Sequence, residues 1–366
     1  MKTVGIITYH ASKSYGACLQ AKATLEIVRK LGFYPELIDY INRKEQKRFK
    51  TPVNSLGSAA KYIRWKIKSL ILRDSYWAKK AFGYTGLFYQ GAVTHTKYTS
   101  LDELNKSSYD ILLAGSDQVW NPAITGGIDK AFLLGFGMAE KRISYASSMG
   151  SHVIAQEEKK IFKECLERFS AVSVREVHAK NEIKKVIDIP VSIVADPTLL
   201  FNRDEWQNFL SVLPDRFKSI KDKYILSFFV GGSTDTYYSE VSRIKQKMGL
   251  PLYNIQINKY KRKNVDRALA GVNCAELISL IKNASVVVTD SYHGTVFSIL
   301  FEKDFICLSN KANPVRVREL LNSLGLDERL DNLECLNDKI DYDSVSKKLI
   351  KIREESIEWL KNALTA

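Results

Sequence analysis

The chain has 366 residues, 45% of them apolar and 26% charged, which is the composition of an ordinary globular protein long enough for two hydrophobic cores. Fifty-five Lys and Arg against 41 Asp and Glu leave a formal charge of +14, and this calls for a partner carrying negative charge. Five widely spaced cysteines (Cys18, Cys165, Cys274, Cys307 and Cys335) show no CxxC spacing, which argues against a disulfide framework or a zinc site and fits a reduced cytoplasm.

The opening MKTVGIITYH enters a strand without an apolar signal core, and no apolar run of about 18 residues follows, so a cytoplasmic protein with no bilayer span is expected. A strand at 4–9, a helix at 15–31 stopped by Gly32 and a strand at 36–40 come first. Residues 43–80 then hold twelve Lys or Arg against Glu45 and Asp74, interleaved with Phe49, Tyr62, Trp65, Tyr76 and Trp77. Within it, Ile63, Ile67, Leu70 and Ile71 recur at helical spacing in rough alternation with Lys61, Arg64, Lys66 and Lys68. Three readings fit: a helix lying on anionic lipid, a nucleic-acid surface, and a solvated helix packed on its own domain. Of these, nucleic acid has the least support.

Strands at 110–114, 142–146, 171–174 and 192–195 alternate with helices that include 156–169 and 177–186. A charged run after Leu213-Pro214-Asp215 reads as a linker. Beyond it come strands at 224–230, 252–257, 286–289 and 305–308, with helices at 236–248 and 275–282. This alternation predicts an α/β protein with mainly parallel sheets. The expected domains are 1–212, with a basic helical insertion at about 43–100, and 213–343; an amphipathic helix at 344–366 crosses back to the first domain.

The most informative stretch is 286–305, VVVTDSYHGTVFSILFEKDF. A β-branched run stops at Asp290-Ser291-Tyr292-His293-Gly294 and an apolar-periodic run follows, so His293 is expected in a loop between strand and helix. Ligands of open α/β sheets bind at such strand ends, and the amides opening the helix, at Gly294 and Thr295, suit an anion. The alternative is a histidine that only caps the helix or bonds within the loop.

The segment DSYHGTVFSILFEKDF resembles the signature of the polysaccharide pyruvyltransferase family. Four other segments match the same pattern in order: GIITYHASKSYGACLQA, YDILLAGSDQVWNP, ISYASSMGS, and VSVRE followed by VADPTLL. The resemblance implies two Rossmann-like domains facing a cleft, similar to the glycosyltransferase-B fold. It also implies transfer of the enolpyruvyl unit of phosphoenolpyruvate to two hydroxyls of a sugar, with no cofactor and no metal. The expected acceptor is a lipid-linked glycan of polysaccharide biosynthesis, reached at the inner membrane face.

In this reading His293 is the general acid that protonates the donor's methylene carbon, since histidine, with an unperturbed pKa near about 6.5, suits proton transfer at neutral pH. Arg175, at the family's Ser-x-Arg position, and Arg316, a basic position after the histidine loop, are expected on the donor's phosphate and carboxylate, together with Ser291, Gly294 and Thr295. Surface salt-bridging is the alternative for either arginine and the better reading for Arg318. Some branches of the family place Arg two residues before the histidine, where this chain has Ser291.

On the acceptor side stand Ser14, Tyr15, Gly16, Ser116, Asp117, Gln118 and Trp120, the last as an aromatic platform. Against this stands a reading in which Asp117 caps a helix and Trp120 is core. Many family members carry Asn where this chain has Ser14. A glycosyltransferase using a nucleotide sugar, with Glu319 as a ribose contact, and a basic binding module without catalysis are the competing functions.

Overall fold

A computed structural model describes residues 1–42, 67, 70–71, 73–231, 235–256, 262, 264–309 and 314–366. The chain divides into two compact units. The first comprises Met1–Lys50, Tyr89–Phe201 and Ser346–Ala366; the second comprises Thr51–Phe88 and Asn202–Val345.

The first unit is built on seven parallel strands: β1 (Thr3–Ile7), β2 (Tyr34–Tyr40), β3 (Val93–Tyr98), β4 (Ile111–Ala114), β5 (Lys141–Ser147), β6 (Ala171–Val174) and β7 (Val191–Ile193). Their order is β3-β2-β1-β4-β5-β6-β7. Central strands are apolar on both faces because helices cover both, and all four residues of β4 are buried. Ile6 of β1 pairs with Leu37 on one side and Leu113 on the other. The chain moves outward from β1 to β3 and then returns to β4, so the topological switch falls between β1 and β4. The helix Tyr15–Lys30 begins at the Ser14 cap and is followed by Gly32 at φ 89°, a left-handed turn that glycine adopts without strain.

The second unit repeats the scheme with β8 (Ile225–Phe228), β9 (Leu252–Gln256), β10 (Arg267–Ala270), β11 (Val286–Thr289) and β12 (Asp304–Cys307), all parallel and ordered β10-β9-β8-β11-β12. Its switch lies between β8 and β11. Trp206, fully buried, meets Phe297 edge to face at 5.0 Å. The last helix, Tyr342–Thr365, starts in this unit, where the Tyr342 hydroxyl donates to the Lys303 carbonyl. From Ser346 onward it belongs to the first unit: Arg353 Nε donates to the Leu199 carbonyl at 2.9 Å, and Ser356 Oγ accepts from the Ala195 amide at 2.9 Å.

Three features differ from the sequence expectation. The insertion does not run to residue 100 as helix, because Val93–Tyr98 is a strand paired with β2. The unit boundary falls at Phe201/Asn202 rather than after residue 212, and Thr51–Phe88 groups with the second unit. Asn202 and Glu205 form a capping box that starts the helix Arg203–Leu210 at this boundary. Both unpredicted strands, β3 and β10, are sheet edges. An edge strand has a partner on one side only and needs no long apolar run; VTHTKY has none, and in RALA it is three residues long.

Candidate active site

In the second unit β11 delivers the histidine loop to the switch between β8 and β11. Thr289 Oγ1 donates to the Phe228 carbonyl at 2.6 Å and accepts from the Ser291 amide at 3.0 Å, which ties the loop to the end of β8. The Asp290 carboxylate accepts from the amides of Val230 and Gly231 at 2.6 and 2.8 Å. Burial pushes its carboxyl above the usual range, against the pull of those amides.

Ser291 is the N-cap of the helix Tyr292–Leu300 and accepts from the Gly294 amide at 3.2 Å. The Thr295 amide donates to the Ser291 carbonyl at 2.9 Å, and Thr295 Oγ1 to the same carbonyl at 3.1 Å. The two amides expected to receive an anion, those of Gly294 and Thr295, are therefore already committed to the cap. A Cβ on Gly294 would lie 2.6 Å from Thr289 Oγ1, so close packing of helix start on strand end selects glycine here.

His293 is buried in the first turn of this helix, not in the preceding loop. Its ring stands nearly perpendicular to that of Tyr292, with centroids 5.2 Å apart. Arg316 is carried by the helix Pro314–Leu324, and its guanidinium carbon lies 5.8 Å from the centroid of the same Tyr292 ring. The structure thus brings Arg316, Tyr292 and His293 together. Arg318 on that helix is exposed, and Glu319 is partly buried. Cys307, beneath Thr295, is no competing nucleophile, because burial pushes its thiol up to about 12.

In the first unit three of the four matched segments converge on one buried ionic network. Arg175 Nη1 meets Asp196 Oδ2 at 2.5 Å and its Nε meets Glu176 Oε1 at 3.4 Å, with the side chain 3% exposed. Asp196 also accepts from Ser116 Oγ at 3.1 Å and from the amide and hydroxyl of Thr198 at 3.0 and 2.6 Å. Glu176 accepts from the Ser148 hydroxyl. Loops after β4, β5, β6 and β7 are thereby locked side by side. Arg175 was expected on the donor; here its guanidinium is clamped between two carboxylates, and an anion would have to share or displace them.

The acceptor candidates also serve the scaffold. Ser14 caps its helix, accepting from the Ala17 amide at 3.5 Å; Tyr15 is partly buried and Gly16 buried. Asp117 sits at φ 77°, a left-handed conformation uncommon for a residue with a side chain, and its carbonyl accepts from the Val119 and Ser148 amides. Gln118 Oε1 accepts from Asn121 Nδ2 at 2.8 Å. Trp120 is core rather than platform: it is 3% exposed, its Nε1 donates to the Phe132 carbonyl at 2.8 Å, and Phe169 lies edge-on. Asn121, not Asp117, caps the following short helix.

The model of the polysaccharide pyruvyl transferase family matches residues 15–312. The chain belongs to that family. This makes it a transferase of the α/β class. Among solved structures it is similar to a UDP-GlcNAc 2-epimerase of Methanocaldococcus jannaschii (13% identity, TM-score 0.51, covering 99% of each chain). It is also similar to S. aureus MnaA (11% identity, TM-score 0.50, covering 98% of this chain and 91% of that one). Likeness at this identity shows the fold, two Rossmann-like units of the glycosyltransferase-B type. A search of curated proteins finds no match.

Two residues of this pyruvyl transferase family member that the sequence reading did not single out are His10 and Asp39, at the ends of β1 and β2. His10 Nε2 lies 3.6 Å from Asp39 Oδ1 and its Nδ1 3.3 Å from the Thr8 carbonyl; the bond from His10 holds the Asp39 carboxyl below its usual range. His10 lies three residues beyond β1 and Asp39 near the end of β2, so the available signal was only their place at the carboxyl ends of adjacent strands.

In the basic segment, Lys61, Arg64, Lys66 and Lys68 lie outside the described residues, while Ile67, Leu70 and Ile71 are exposed. The helix Asp74–Phe82 packs on its own unit, with Trp77 against Gly271 and Ala81 buried. Among the described residues no cluster of His, Cys, Asp and Glu is arranged to hold a metal ion, and no helix is long and apolar enough to cross a membrane.

Proposed function

We propose that the protein transfers the enolpyruvyl unit of phosphoenolpyruvate onto two hydroxyls of one sugar, forming a pyruvate ketal and releasing phosphate. The observation that carries this reading is the grouping of an imidazole and a guanidinium around Tyr292 at a strand end beside the β8/β11 switch. Arg316 supplies a planar fork for phosphate or carboxylate, and the positive end of the Tyr292–Leu300 helix favours the same charge.

His293 delivers a proton to the methylene carbon, which leaves C2 oxocarbenium-like and open to the first sugar hydroxyl. The proton of that hydroxyl returns to His293. The second hydroxyl then displaces phosphate, and its proton departs on the phosphate. One C–O bond breaks at C2, two form, and no proton or electron is gained or lost overall, so a single acid–base group suffices.

Incubation with phosphoenolpyruvate and a panel of sugars should release inorganic phosphate with one acceptor and yield a ketal. Release of a nucleoside diphosphate from a nucleotide sugar, with phosphoenolpyruvate left intact, would replace this reading by glycosyl transfer.

The acceptor in this proposal is a lipid-linked glycan, met on the inner membrane face through the basic segment. Near an anionic surface each Lys or Arg contributes about 1 kcal/mol, so several together give salt-sensitive, reversible attachment. Replacing Lys61, Arg64, Lys66 and Lys68 with Gln should abolish binding to anionic vesicles and slow reaction on a lipid-linked acceptor while sparing a short soluble one. A wild-type protein that ignores anionic vesicles at low salt would leave the segment as a solvated, self-packed helix.

A further inference from the structure

We infer that Tyr292 is a positioning residue whose ring seats the Arg316 guanidinium for the donor and couples it to His293. This rests on the donor reading above. Arginine carries a rigid fork on a long stem with many rotamers, and a fork that must be ordered at each binding event loses affinity. The negative face of an aromatic ring within about 6 Å removes part of that cost by holding the cation before the donor arrives.

Tyr292 meets this condition, with Arg316 at 5.8 Å from its centroid. The ring is itself immobilised: Tyr292 is 7% exposed and is packed nearly perpendicular to His293 at 5.2 Å. One ring therefore touches both groups assigned to the donor, the anion clamp and the acid. Neighbours on a helix point about 100° apart, so contact between residues 292 and 293 is not imposed by their sequence adjacency. Tyr292 makes no contact with reacting atoms in this scheme; it acts through Arg316.

Calorimetric titration of phosphoenolpyruvate into the whole chain tests the inference. Tyr292→Phe keeps the ring and should bind within about twofold of wild type. Mono-, di- and trifluorinated phenylalanine at 292 keeps the shape but drains the negative face, so donor affinity should fall stepwise to about one fifth, the size of a modest cation–π contribution. In an Arg316→Ala background the fluorinated series should be flat, as expected for residues that act as a pair. An even affinity across the series with Arg316 present, or the same slope without it, would overturn the inference alone. Wild-type affinity in Arg316→Ala itself, or no binding of phosphoenolpyruvate by the wild type, would overturn the donor reading as well.

Discussion

His293→Gln is expected to lower turnover with phosphoenolpyruvate by roughly two to four orders of magnitude, the range for loss of a general acid, if His293 has the role proposed for it. Glutamine retains polarity and much of the volume but has no proton to give and take near neutral pH. Bonds among Ser291, Gly294 and Thr295 fix the start of this helix, so the exchange should leave it in place. Phosphate release under saturating donor and acceptor measures the effect, with circular dichroism confirming the fold. Turnover close to wild type in a well-folded His293→Gln protein removes the histidine from the chemistry.

The second large effect is on stability. Asp196→Ala leaves Arg175 buried with one carboxylate fewer and strips acceptors from Ser116 and Thr198. Breaking a buried ion pair by deleting one partner costs about 3–5 kcal/mol, because the remaining charge cannot recover its hydration. Urea titration followed by hydrogen exchange across 111–201 should show the loss in the first unit, where the network lies. Unchanged exchange there would mean that water reaches Arg175. Arg175→Lys separates two roles for the same side chain. A lysine cannot span both carboxylates and should also destabilise the unit. If it instead weakens phosphoenolpyruvate binding at unchanged stability, Arg175 belongs with the donor, as the Ser-x-Arg resemblance implies.

Local chemistry made much of this protein readable from its sequence. Val286, Val287, Val288 and Thr289 announce a strand because β-branched side chains suit a pleated, doubly covered surface. Gly32 announces a helix end because it turns left-handed without strain. The alternation of such runs was enough for two parallel α/β units, and five matched segments were enough for the family. What sequence left undecided depends on partners remote along the chain. Arg175 looks like a free guanidinium until Asp196 arrives from 21 residues away, and Ser116 reaches the same carboxylate across 80. Trp120 resembles a sugar platform until its indole N–H is seen to donate to the buried Phe132 carbonyl. Tyr292 reads as an aromatic beside a histidine; only the packing of the Pro314–Leu324 helix turns its ring into a seat for Arg316. Propensity and capping act over a few residues and so are written locally. Ion pairing and burial are settled only when the strand order brings distant loops to one edge of a sheet.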